Sequence, residues 1–187
     1  RNYGIPRSLI TEVLELVAVG TIGDVMPLID ENRSLVKYGL RLMRLGFKNK
    51  GLKRLSELSG VDFNNITSTN VAFSIVPRIN AAGRLGDASL GVRALLSDDD
   101  DEIESLCTKL METNTKRREL QKQAFENCIS FADSELKNGD FLMIEVEHAH
   151  EGILGIVAGN LKERYNRPVV IVSPNDEKLK GTGRSID

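Results

Sequence analysis

The chain has 187 residues, with 25 Lys and Arg against 27 Asp and Glu, two Cys, no Trp and 41% hydrophobic residues. This is the composition of a globular protein of one or two domains, long enough to bury roughly 70% of its unfolded surface without a disulfide or structural metal. No apolar run approaches the ~18 residues of a membrane span, and the first ten residues lack the charged-then-apolar layout of a secretory leader, which sets aside membrane and secretory readings.

The net charge of −2 conceals an asymmetry: residues 1–97 carry 13 basic and 8 acidic side chains, residues 98–187 carry 12 and 19. In chain order, apolar residues from Leu9 to Val17 recur at helical spacing, and Ser8 or Thr11 is placed to cap a helix through about Val19 that GTIGDVMPL (Gly20 to Leu28) breaks. Helices are predicted over Arg33 to Leu45 and Gly51 to Ser59, each closed by Gly. Asn32 to Ser56 holds eight basic residues and no acidic one; such a run attracts polyanions, or is a solvated face with its counter-charges elsewhere in the fold. Thr67 caps a further predicted helix to Ile75, which Pro77 stops, and Pro77 to Ser89 reads as a loop or short helical turn before a helix over Leu90 to Leu96.

Asp98 to Asp101 with Glu102 and Glu104 reads as a helix start, since carboxylates complement the dipole there. With no Gly or Pro from Ser97 to Asn138, the simplest prediction is one helix of roughly 55 Å connecting two domains. Cys107 and Cys128 fall on its apolar stripes without a CxxC or Cys/His cluster and read as reduced core thiols of a cytosolic protein. Beyond Gly139 the period changes: Phe141 to Glu147 reads as a strand, Gly152 to Tyr165 as a helix, Pro168 to Ser173 as a strand and Leu179 to Ser185 as a Gly-interrupted strand or turn. Strand, helix, strand at this spacing is a β-α-β unit with a parallel pair. The expected class is therefore α/β, mainly helical first and cut short at the end; starting at Arg1 and stopping after KGTGRSID, the chain reads as a trimmed fragment.

Four segments exceed what a core requires. Asp24 is flanked by apolar residues expected to bury it, either as a hydrogen-bonded structural carboxylate or as a ligand. Arg78, Asn80 and Arg84 lie within seven residues beside Ala81, Ala82, Gly83 and Gly86, so backbone and guanidinium groups can approach phosphates, or an Arg pairs with Asp87 at a helix junction. His148, His150 and Glu151 precede the helix GILGIVAG at a strand's C-terminal edge, where ligands of open α/β sheets bind and where a helix N-terminus favours a phosphate. KGTGRS puts Thr182, Arg184 and Ser185 on a glycine frame that suits a phosphate.

In this order GTIGDVMPL, VPRINAAGRLGDAS, HEGILGIVAGNLKERYNRPVVIVS and KGTGRSI resemble blocks of the RecJ single-stranded-DNA exonucleases, members of the DHH phosphoesterase superfamily, and the resemblance covers essentially the whole chain. It implies a C-terminal part of a DHH domain over residues 1–98, a long connecting helix over 99–138 and a partial DHH-associated domain over 139–187. It implies a cytoplasmic 5′→3′ exonuclease of DNA repair and recombination that hydrolyses phosphodiester bonds with two Mn²⁺ or Mg²⁺ ions, acts on the 5′ end of single-stranded DNA and works beside repair or replication proteins. By the same resemblance Asp24 is the last aspartate ligand of the metal cluster, Arg78, Asn80 and Arg84 line the strand path, His150, Gly152 and Gly155 close the site, and Thr182 with Arg184 grips a terminal phosphate. The chain departs from the family at Glu151, where Pro is usual, and at Thr182, where Ser is frequent. The DHH triplet and the upstream metal ligands are absent from these residues, so the fragment alone is expected to be inactive. Two alternatives are a DHH phosphodiesterase acting on nanoRNA or cyclic dinucleotides, against which the missing GGGH-type block argues, and a catalytically silent single-strand-binding or replication-scaffold relative.

Overall fold

The computed structural model describes residues 7–135, 140–147, 149–175 and 178–186; His148 falls outside them. Eight helices and three strands follow one another within these residues: α1 Arg7–Gly23, α2 Asp30–Leu45, α3 Lys50–Leu58, α4 Ser68–Asn70, α5 Val76–Leu85, α6 Ser89–Leu96, α7 Asp100–Glu135, β1 Leu142–Glu145, α8 Glu151–Tyr165, β2 Val169–Asn175 and β3 Lys178–Arg184. This is the expected α/β class, helical first with a small sheet at the end. The chain divides into two compact units, residues 1–114 and 115–187. No helix among the described residues is long and apolar enough to cross a membrane.

The first unit is helical because its apolar residues repeat at 3.6-residue spacing and find one another across close helix crossings. Ala18, Met43, Leu52, Ile66, Ile75 and Leu110 are fully buried in its core. Two glycines set the crossings. A Cβ on Gly39 of α2 would stand 2.5 Å from the Ala18 Cβ of α1, and one on Gly51 of α3 would stand 1.7 Å from the Ala94 carbonyl oxygen of α6. Any side chain there separates the helices.

Two elements differ from the sequence expectation. Helix α1 runs through Gly20 to Gly23, because glycine is tolerated in a helix at a modest cost and Thr21 Oγ1 donates to the Val17 carbonyl (2.7 Å), satisfying its hydroxyl within the helix. Thr67 does cap, in a reciprocal box with Asn70, yet Pro77 does not stop the chain. Val71–Ile75 forms a π-helical turn in which the Val76 N–H donates to the Val71 carbonyl five residues back, and Pro77 then occupies the first turn of α5, where its missing N–H is not needed. The PRINAAGRL segment is thereby helical rather than a loop.

Helix α7 is a single element of 36 residues. Its start is built as the acidic run suggests: the Glu102 N–H donates to Asp99 Oδ1 (2.9 Å), and Asp100 pairs with Lys50 (2.8 Å). In the second unit β1 and β2 pair in parallel, Leu142 opposite Val169, and β3 adds antiparallel with Thr182 opposite Ile171, giving the order β1-β2-β3. Helix α8 packs on the sheet through Ile153, Leu154, Val157, Ala158 and Leu161. Its last turn ends at Asn166 in the left-handed conformation, and Tyr165 Oη donates to Asp133 of α7 (2.7 Å).

Candidate nucleic-acid interface

Asp24 closes α1, its N–H donating to the Gly20 carbonyl (2.9 Å). Val25 follows with φ 56°, a left-handed conformation that costs a β-branched residue on the order of 1–3 kcal/mol and turns the chain out of the helix. The carboxylate is exposed, contrary to expectation, because the apolar neighbours that were to cover it face solvent themselves: Val25 is 86% and Met26 44% exposed. Asp24 and Asn80 are the two polar residues on a cleft of about 530 Å³ otherwise walled by apolar side chains such as Val19, Val76, Ile79 and Leu95. The structure thus brings together two of the first unit's candidates.

Arg78 is turned into the fold. Half-buried, it donates through Nη1 to the Ser74 carbonyl and through Nε to Met111 Sδ (3.0 Å) on α7. It therefore positions α5 on α7 rather than lining the cleft with Asn80. Arg84 is exposed in the last turn of α5, where a cation complements the helix dipole. Asp87 accepts from the Ser89 N–H and Oγ (both 2.8 Å), and these hydrogen bonds hold its carboxyl below the usual range. Among the described residues no group of three or more His, Cys, Asp or Glu stands close enough to hold a metal ion. A divalent cation takes about six or more ligands, so Asp24 with the groups around it does not by itself fit one.

The second unit assembles its candidates more tightly. Alternation along β3 puts Lys180, Thr182 and Arg184 on one face, the face against α8. Arg184 Nη1 donates to Thr182 Oγ1 (3.2 Å) and to the Gly183 carbonyl (2.8 Å), which holds the guanidinium beside the hydroxyl. That guanidinium lies over Gly155: a Cβ there would stand 2.9 Å from Arg184 Nη2 and 3.7 Å from Thr182 Oγ1. Glycine at this turn of α8 is what admits the arginine. His150 caps α8, its Nδ1 accepting from the Gly152 N–H (3.1 Å), which leaves Nε2–H as the ring's donor. Both His150 and Arg184 are exposed.

Sequence reasoning missed two participants. Lys180 forms an ion pair with Glu151, and that hydrogen bond, with the Lys180 charge, holds the Glu151 carboxyl below the usual range. The Glu151 carboxylate thus has its own counter-ion. With Ala149, Ser173, Pro174 and His150 the pair edges a small cleft of about 280 Å³. The other is Glu15, fully buried in α1. The Lys48 N–H donates to both its carboxylate oxygens (2.9 and 3.1 Å) and the Asn49 N–H to Oε2 (3.0 Å), while Asn49 caps α3 and donates to the Leu95 carbonyl (2.7 Å). An i, i+33 pairing leaves no periodic signal, so only the apolar surroundings of a lone glutamate pointed to it.

No protein-family model matches the chain. Over its whole length it is 37% identical to the single-stranded-DNA-specific exonuclease RecJ of Escherichia coli strain K12, of which it covers 33%. It is 39% identical over 99% of its length to that of Thermus thermophilus, covering 26%, and 34% identical over 94% to that of Bacillus subtilis 168, covering 22%. The crystal structure of T. thermophilus RecJ in complex with Mg²⁺ matches 98% of this chain and 28% of that one, with a TM-score of 0.85 at 38% identity. A structure of exonuclease RecJ bound to manganese matches 95% and 43%, with a TM-score of 0.83. The chain is a homologue of the RecJ exonucleases along its own full length, and it spans about a third or less of the length of these curated relatives.

Proposed function

We propose that this RecJ homologue is part of a 5′→3′ single-stranded-DNA exonuclease of DNA repair and recombination, a cytoplasmic phosphodiester hydrolase dependent on Mn²⁺ or Mg²⁺. The observation that carries the reading is the full-length similarity, at 34–39% identity, to single-stranded-DNA-specific exonucleases, joined to a second unit whose candidate residues converge on α8. In this reading residues 1–98 belong to a DHH domain, 99–138 connect, and 139–187 belong to the DHH-associated domain.

The chain's own contribution is to hold the strand. Arg184 and Thr182 offer a guanidinium and a hydroxyl to a 5′-terminal phosphate, a charge-assisted pairing that is roughly twice as strong as a neutral one. His150 Nε2–H and the amide groups at the start of α8, Gly152 among them, add donors at the positive end of the helix dipole. Asn80 and Arg84 contact the strand farther along. Asp24 serves the whole protein as one carboxylate ligand of the metal cluster, the remaining ligands coming from outside these residues.

Hydrolysis of a labelled single-stranded oligonucleotide in Mn²⁺ tests this. The 187-residue chain alone is expected to leave it intact. A longer protein containing the chain is expected to degrade it from the 5′ end and to lose that activity with Asp24→Ala. Full activity of the Asp24→Ala protein overturns the assignment of Asp24; Mn²⁺-dependent degradation by the chain alone overturns the proposed division of labour.

A further inference from the structure

The basic run over Asn32 to Ser56 is only partly used by the fold. Arg44 donates through Nε and Nη2 to the Ile66 carbonyl (3.1 and 2.6 Å), Lys50 pairs with Asp100, Lys53 with Glu57, and Arg54 with Glu57 and Glu104. The acidic start of α7 and Glu57 thus answer the three cations of α3. Apart from Arg44, the cations of α2 are not answered: the side chains of Arg33, Lys37 and Arg41 are exposed and make no ion pair or hydrogen bond among the described residues.

Helical geometry makes these three one surface. At about 100° per residue Arg33, Lys37 and Arg41 fall in a sector about 80° wide, spaced about 6 Å along the axis, while the buried Val36, Gly39, Leu40 and Met43 take a separate sector about 100° wide, centred about 110° away. Tyr38 lies about 60° beyond Arg41 around the helix and is 57% exposed. The element's acidic residues, Asp30 and Glu31, are confined to its first turn, where the helix dipole accommodates them. Charges of alternating sign along a face mark a solvent-exposed, ion-paired helix. Here one sign runs on for two turns beside an exposed aromatic ring, the combination by which proteins hold single strands: cations for the backbone and a ring for a base to stack on.

We propose that the exposed face of α2, built from Arg33, Lys37, Arg41 and Tyr38, is a contact for single-stranded nucleic acid, separate from the terminal-phosphate residues on β3 and α8. It rests on the reading of the protein as a single-strand exonuclease and adds a surface that engages the strand by backbone and base, without regard to its end.

The test measures anisotropy of a 3′-labelled (dT)30 lacking a 5′-phosphate, bound to the 187-residue chain across a salt series. Three variants are compared: the triple substitution Arg33→Gln/Lys37→Gln/Arg41→Gln, Tyr38→Ala, and a control of equal charge change on α7, Lys116→Gln/Arg118→Gln/Lys122→Gln. Neutralising three phosphate contacts lowers the slope of log K against log salt by about 2, at about 0.7 per contact on a single strand. That loss is expected in the α2 variant and absent in the control. Tyr38→Ala is expected to weaken binding at least about 5-fold with the slope unchanged. An α2 variant that keeps the wild-type slope, or one that loses no more than the control, overturns the proposal, as does tighter binding of a 30-base-pair duplex with no effect of Tyr38→Ala. Circular dichroism melts confirm that the exposed substitutions leave the fold intact. Arg184→Ala separates this surface from the end-recognition reading: it is expected to remove any preference for a 5′-phosphate and to leave the (dT)30 slope unchanged, so either can fail without the other.

Discussion

Removing the Glu15 carboxylate is the sharpest test of how the first unit holds together. The side chain is fully buried and accepts from the backbone N–H groups of Lys48 and Asn49, which lead into α3. In Glu15→Ala those two part-buried donors lose their acceptor, and since a fully buried unsatisfied donor costs about 1–3 kcal/mol and water reaches these in part, the loss is about 2–4 kcal/mol. At about 2–4 °C per kcal/mol for a chain of this size, Tm should fall on the order of 10 °C. Glu15→Leu decides whether volume or hydrogen bonding matters: it fills the space but offers no acceptor, and should melt about as early as Glu15→Ala. Thermal melts followed at 222 nm read both. A Glu15→Leu protein melting at or above the wild-type temperature refutes the account, because a buried acceptor replaceable by hydrocarbon is not holding α3.

Gly51→Ala should be among the most damaging single-methyl changes, costing about 3 kcal/mol or more, since the new Cβ would meet backbone at the Ala94 carbonyl that cannot yield without parting α3 from α6; a urea midpoint within error of wild type would contradict this. Burial pushes the Cys107 and Cys128 thiols up to about 11, leaving only about one thiolate in a thousand at pH 8. Native protein should therefore react with a thiol reagent only as fast as it unfolds, and rapid modification of both cysteines in folded protein would count against their placement. Acid should destabilise the first unit through Glu102 and Glu104, whose carboxyls are held low mainly by hydrogen bonds to Arg93 and Arg54. Since their folded values lie below the unfolded value of about 4.3, these pairs stabilise above that pH and cease to do so as pH falls through the folded values. Tm should drop below about pH 4, less steeply in 0.5 M salt and in Arg54→Gln, and an acid limb indifferent to both would rule the pairs out as its cause.

Periodicity carried most of the architecture. Helices α2, α3, α6, α7 and α8 and the parallel β1/β2 pair lie where apolar spacing and glycine stops put them, because each buries a regular stripe. Pro77 misled because its effect on a helix depends on the register before it: one π-helical turn, invisible in composition, lets it start α5 instead of ending the previous element. At the site, KGTGRS and the helix after His150 were legible as separate phosphate-suited segments, yet their meeting through Gly155 and Arg184 depends on β3 folding back along β2, with Arg184 opposite Val169, under a helix whose Gly155 is 29 positions away in the chain. Arg78 shows the opposite failure, an arginine in a phosphate-like motif whose guanidinium the fold takes for Ser74 and Met111. The Glu151–Lys180 pair had no sequence signal beyond opposite charge, since nothing local places β3 against the first turn of α8.

The central claim is that the second unit recognises the phosphorylated end of a single strand through Arg184 lying over Gly155 beside Thr182. The direct measurement is binding of 5′-phosphorylated against unphosphorylated single-stranded oligonucleotide by the 187-residue chain, repeated with Arg184→Ala and with Gly155→Ala, whose added methyl crowds the flexible end of the arginine and meets Thr182 Oγ1 only at ordinary contact distance, and so should displace the arginine without unfolding α8. The account predicts tighter binding of the phosphorylated strand and loss of that preference in both variants at unchanged Tm. Equal binding of the two strands by the wild-type chain, or a preference that survives both substitutions, would contradict it.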